Sequence, residues 1–112
     1  MEDDPDIGII MDLALSDRYE VEVKTNGYNV LENVIRFSPD LIMLDNYIGQ
    51  KNAGDIINEI KPEIEYRNIP YVLFSGHDDI RRIAEKINAT AYLPKPFALN
   101  ELYDCVDGIF AA

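Results

Sequence analysis

Residues 38–47 read Ser-Pro-Asp-Leu-Ile-Met-Leu-Asp-Asn-Tyr. Pro39 closes whatever helix precedes it. Leu41, Ile42, Met43 and Leu44 then follow without polar alternation, as in a strand covered on both faces of a parallel sheet. Asp45 ends the apolar run. A carboxylate at the carboxyl end of a central strand lies at the rim of an open α/β sheet, where ligands of such folds bind. Asp in that place often caps the next helix instead. Here a polar segment, 46–54, containing Gly49 and Gly54, delays the helix, which favours the rim reading.

Downstream, Ile56, Ile57, Ile60 and Ile64 form the stripe of a helix that Pro62 is expected to end or kink. Tyr71, Val72, Leu73 and Phe74 make a second continuous apolar strand, ending at Ser75-Gly76 and followed by His77-Asp78-Asp79, which can open a helix. Ile80, Ile83, Ala84 and Ile87 give that helix its apolar face. A short strand over 91–93 leads to Lys95-Pro96-Phe97, and Leu99, Leu102, Val106 and Ile109 stripe a last helix. Upstream, Val30, Leu31, Val34 and Ile35 mark a helix stopping before Pro39, after a turn at Asn26-Gly27. Residues 19–24 alternate, Val21 and Val23 against Glu20, Glu22 and Lys24, which suits a half-exposed edge strand. Asp4-Pro5 can open a first helix striped by Ile7, Ile10, Met11, Ala14 and Leu15. Helix and strand in alternation predict an α/β fold, a doubly wound parallel sheet covered on both sides.

With 112 residues, 47% hydrophobic and 28% charged, residues 1–112 fit a single domain. The 21 acidic residues outnumber 10 basic ones, and a net charge of -11 argues against gripping nucleic acid or an anionic membrane. Cys105 is the sole cysteine, so an intrachain disulfide and a multi-cysteine zinc cluster are excluded. No apolar run reaches membrane-spanning length and no signal-peptide pattern opens the chain, so the expected location is the cytoplasm.

Polar signals fall where strands should end or helices begin: Glu2-Asp3 with Asp4, Asp45, Ser75 and Lys95. Singly each is weak, since a lone Asp, Ser or Lys is more often a cap or a solvated side chain. In this order, carried by EDDPDI, PDLIMLD, VLFSG and AYLPKPF, they resemble the receiver domain of bacterial two-component response regulators along essentially the whole chain. The resemblance implies a flavodoxin-like sheet of strand order 2-1-3-4-5. It makes Asp45 the phosphoacceptor, and Glu2 and Asp3 the acidic pair that binds a divalent cation, usually Mg²⁺ with Mn²⁺ as an alternative. Asp4 is then a helix cap, unless the pair shifts onto Asp3 and Asp4. Tyr47 would offer its backbone carbonyl to the metal, and Gly76 its backbone N–H to the phosphoryl group. Ser75 would be the switch hydroxyl, Tyr92 the switch aromatic and Lys95 the ammonium meeting the phosphoryl group. The Lys95-Pro96 bond is expected to be cis. His77 reads as a surface-loop residue.

Physical chemistry explains why these groups belong together. Three carboxylates about 4 Å apart repel by roughly 4 kcal/mol per pair at an effective dielectric near 20, so the site calls for a cation. A small hard ion with oxygen ligands meets that need. Catalysis is then mostly positioning and electrostatics. The implied partners are a sensor histidine kinase or phosphotransfer protein and a downstream protein target, because no DNA-binding helix pair follows Phe110. Arg81, Arg82 and Lys86 on one helix and Asp104 and Asp107 on the next could pair with a second copy as a homodimer or with a partner.

The sequence departs from the family pattern in having only Met1 before Glu2, where a hydrophobic first strand is expected. Either the chain is a truncation or a partner or rearrangement fills that slot of the sheet, and a chain of this length is expected to be marginally stable and to bind metal weakly. The rival reading is therefore a degenerate receiver acting as a phosphorylation-independent interaction module. A flavin-binding protein is disfavoured, because the loops lack a hydroxyl- and glycine-rich phosphate cradle.

Overall fold

The computed structural model describes residues 13, 15, 16, 19–23, 28–48, 51–76 and 79–111. Glu2, Asp3 and Asp4, the first-helix residues Ile7, Ile10, Met11 and Ala14, the Asn26-Gly27 turn, and His77 lie outside them. In chain order the described elements are α1 (Val30–Phe37), β1 (Ile42–Asp45), β2 (Tyr47–Ile48), β3 (Lys51–Asn52), α2 (Ala53–Arg67), β4 (Tyr71–Ser75), α3 (Ile80–Lys86), β5 (Ala91–Pro94) and α4 (Leu99–Ala111). The two unbroken apolar runs lie side by side: β1 pairs in parallel with β4, which pairs in parallel with β5.

Every residue of β4 is buried, as expected of a strand covered on both faces. Successive side chains point to opposite faces of a strand, so the run divides between two cores. Tyr71 and Leu73 join Ile42 and Leu44 of β1 against Val30 and Val34 of α1, Ile56, Ile57 and Ile60 of α2, and Ile80 and Ala84 of α3. Phe74 packs on the other side with Leu15, Leu93, Leu102 and Val106, so α4 covers that face.

Local chemistry sets the ends of the helices. Ser38 sits in the left-handed region, its N–H donating to the Val34 carbonyl, and Pro39 cannot continue the helix. At the start of α2 the Asn52 side chain accepts from the Asp55 N–H, while the Asp55 carboxylate accepts from the Asn52 N–H. This reciprocal cap satisfies two donors that a helix start leaves open.

The structure refines the local expectations. Pro62 does not end its helix: α2 runs through it to Arg67. The exposed proline gives up one N–H, and the cap together with burial of Ile56, Ile57 and Ile60 offsets that loss. Within 19–24, residues 20–23 form no strand. Val21 packs against the second core but Val23, on the same face of the supposed strand, is 36% exposed, so no buried face fixes a register. The segment after Asp45 is not simply a loop, because β2 and β3 pair as an antiparallel ribbon. The helix marked by Val30, Leu31, Val34 and Ile35 forms as α1, with Val30 and Val34 buried and Leu31 and Ile35 facing outward. No described helix is long and apolar enough to cross a membrane.

Candidate functional site

Asp45 is the last residue of β1, Ser75 the last of β4, and Lys95 follows Pro94, the last of β5. Parallel register sets Asp45 beside Phe74 and Ser75 beside Pro94, so the three residues meet at the carboxyl edge of the sheet. Lys95 Nζ donates to Asp45 Oδ2 at 2.9 Å, with both side chains 16% exposed. The Asn46 N–H donates to the other oxygen, Asp45 Oδ1, at 2.7 Å. Each carboxylate oxygen thus has a fixed donor, which orients the group as a nucleophile must be oriented.

Lys95 is itself held. Its N–H donates to the Ser75 carbonyl at 2.9 Å, its ammonium lies 4.9 Å from the centroid of the Phe74 ring, and the Lys95-Pro96 peptide is cis. A cation near a buried ring gains electrostatic attraction, more so where water is largely excluded. Ser75 is buried, and Gly76 is exposed at the strand end. A Cβ at Gly76 would stand 3.9 Å from Lys95 Cβ, an ordinary contact, so crowding does not require glycine there. Tyr92 lies on β5 opposite Leu73 and is 41% exposed.

Two contributors escape a reading by residue type. Asn46 acts through its backbone, and its residue is 7% exposed although it follows a strand end. Phe74 reads from sequence only as core. The Asn52-to-Asp55 spacing, by contrast, carries a legible capping pattern.

The donor chemistry at this edge suits a hard cation. Asp45 offers a carboxylate, and the Tyr47 backbone follows in β2. Among the described residues no three acidic, thiol or imidazole side chains gather into a metal cluster. The other expected ligands, Glu2 and Asp3, lie outside the described residues. Elsewhere, Asp107 accepts from the Tyr19 hydroxyl and Phe110 stacks at 5.1 Å on the Tyr19 ring, so one acid of the expected pairing face is engaged within the chain. Burial pushes the Cys105 thiol and the Tyr71 phenol above their ordinary pKa values, which disfavours either as a nucleophile.

Comparison with known proteins agrees with this arrangement. Residues 1–107 match the response regulator receiver domain. The sensor histidine kinase TmoS of Ectopseudomonas mendocina is 27% identical over 106 residues, which is 91% of this chain and 11% of that protein. Response regulator MprA of Mycobacterium leprae is 30% identical over 86 residues, 75% of this chain and 37% of that protein. The chain therefore spans well under half the length of either relative. Among solved structures, the chemotaxis protein CheY4 of Vibrio cholerae superposes with a TM-score of 0.84 at 20% identity, over 96% of this chain and 92% of that one. The receiver domain of the sensor histidine kinase PA1611 of Pseudomonas aeruginosa, which has a magnesium ion coordinated in its active-site cleft, superposes with a TM-score of 0.86 at 20% identity, over 100% of this chain and 94% of that one. The likeness identifies the fold as the flavodoxin-like α/β class. Matched along nearly its whole length and folded in the same way, the chain belongs to the response regulator receiver domain family.

Proposed function

We propose that Asp45 accepts a phosphoryl group from the phosphohistidine of a sensor histidine kinase or phosphotransfer protein, and that the phosphorylated chain acts on a downstream protein target in the cytoplasm. Membership of the receiver family supports a phosphoacceptor role in two-component signalling. One observation carries the assignment to this residue: Lys95 reaches across 50 positions of sequence to place its ammonium 2.9 Å from the Asp45 carboxylate at a strand edge. An isolated Asp cap would have no use for such a partner.

In the proposed step a carboxylate oxygen of Asp45 attacks phosphorus, the bond from phosphorus to the donor imidazole nitrogen breaks, and an acyl phosphate forms. Lys95 meets the negative charge of the incoming group and keeps it after transfer. The Asn46 N–H fixes the carboxylate, and Gly76 offers its N–H beside it. Asp45, the Tyr47 carbonyl, Glu2 and Asp3 would hold Mg²⁺. When bound, the ion neutralises charge among these carboxylates and on phosphoryl oxygens. The Ser75 hydroxyl then hydrogen-bonds a phosphoryl oxygen and Tyr92 turns inward, shifting the population of the α3, β5 and α4 face toward a form that binds the target or a second copy.

Incubation with acetyl phosphate and Mg²⁺ tests the reading. An acid-stable, hydroxylamine-labile label is expected on the native chain and not on Asp45→Asn. No label together with retained partner binding would instead establish the interaction-module reading.

A further inference from the structure

We infer that Lys51 is a positioning residue for the Asp45 site, latching the β2–β3 ribbon onto α2. The inference rests on the phosphoacceptor reading of Asp45 and extends it to a surface lysine well along the chain. The ribbon begins one residue beyond Asp45 and is tied at its root. The Asn46 N–H holds Asp45 Oδ1, and the Asn46 carbonyl accepts the Ala53 N–H at 2.7 Å. The chain thus leaves and rejoins the body of the domain at the same point.

Between those ties the described residues of the ribbon make two cross-strand pairs, Tyr47 with Asn52 and Ile48 with Lys51. So short a ribbon is not stable by itself. Lys51 Nζ contacts Glu59 Oε1 of α2 at 2.6 Å and lies 5.9 Å from the centroid of the Tyr28 ring, ahead of α1. One ammonium therefore joins the far end of the ribbon to two neighbouring elements. Tyr47, whose carbonyl is the proposed metal ligand, sits in the same ribbon. Freedom at Lys51 is passed along β2 to that oxygen.

An exposed ion pair adds little to global stability, but here it restrains an element described by two cross-strand pairs. Its loss should therefore appear in metal affinity and local order rather than in overall melting. The test compares native protein, Lys51→Met, the charge swap Lys51→Glu with Glu59→Lys, and Lys61→Met. The last breaks the exposed Lys61–Glu65 pair on the same helix and serves as the control. Two readouts are taken: the Mg²⁺ concentration giving half-maximal labelling by acetyl phosphate, and amide hydrogen exchange of residues 46–53 without metal.

Lys51→Met should raise half-saturating Mg²⁺ about threefold, the scale of an exposed pair, with the rate at saturating Mg²⁺ unchanged. Exchange across 46–53 should quicken, the swap should restore both readouts, and Lys61→Met should alter neither. Native-like half-saturation and exchange in Lys51→Met would overturn the inference, as would a charge swap that restores nothing. Absence of label on the native chain would sink the phosphoacceptor reading alone, and the exchange comparison would still decide the latch.

Discussion

At the scale of single residues, the Asp45–Lys95 pair is asymmetric in what it can lose. Both side chains are only 16% exposed, so removing the lysine leaves a carboxylate largely stripped of water and without its ammonium. Lys95→Met should cost about 1–3 kcal/mol in urea denaturation without metal, the range for a buried group deprived of its partner. Adding Asp45→Asn to that variant should recover part of the loss, because the residual amide no longer carries an uncompensated charge. A double variant weaker than Lys95→Met would refute this account. Asp45, Ser75 and Lys95 were legible in the sequence because each ends an apolar run that parallel pairing brings to one edge. Asn46 and Phe74 were not, since a backbone N–H and a ring beneath an ammonium announce themselves by no residue type.

At the scale of elements, α2 depends on its first turn. Asn52 is at once the last residue of β3 and the reciprocal cap of the helix, so its side chain joins ribbon to helix. Asn52→Ala should lower stability by about 1 kcal/mol, the usual worth of such a cap, read as a shift of the urea midpoint at constant slope. Helices striped with isoleucine and strands without polar alternation were plain in the sequence, because burial on a face imposes a period. The ribbon was hidden: Tyr47 to Asn52 has no run long enough to show alternation, and its two pairs depend on ties outside it. Pro62 does not end its helix for a related reason, since a proline weighs only against the local helix while α2 is secured by its cap and by Ile56, Ile57 and Ile60. Residues 19–24 misled in reverse: Tyr19 and Val21 do pack on the second core, but among the described residues 20–23 the alternation forms no strand and Val23 is exposed.

Taken whole, the described molecule has a three-stranded sheet that serves two cores, and β4 belongs to both. Leu73 faces the core built on α1, α2 and α3, while Phe74, its neighbour in the chain, faces the core built on α4. Neither core can open without uncovering β4, because every residue of that strand is buried and its hydrogen bonds run to β1 on one side and β5 on the other. Unfolding should therefore be a single cooperative event whichever face is weakened. Ile60 and Leu102, each 0% exposed, lie in opposite cores and provide the comparison. Ile60→Ala and Leu102→Ala should each cost about 2–5 kcal/mol, the range for truncating a fully buried aliphatic side chain. In both variants the transition followed by far-ultraviolet circular dichroism should coincide with that followed by tyrosine fluorescence. Separate transitions in either variant would mean that the faces melt independently and that β4 does not couple them. Coincidence matters for signalling as well. On the proposed phosphoacceptor reading, a strand shared by two cores and ending in Ser75 would couple a change beside Asp45 to both faces of the sheet.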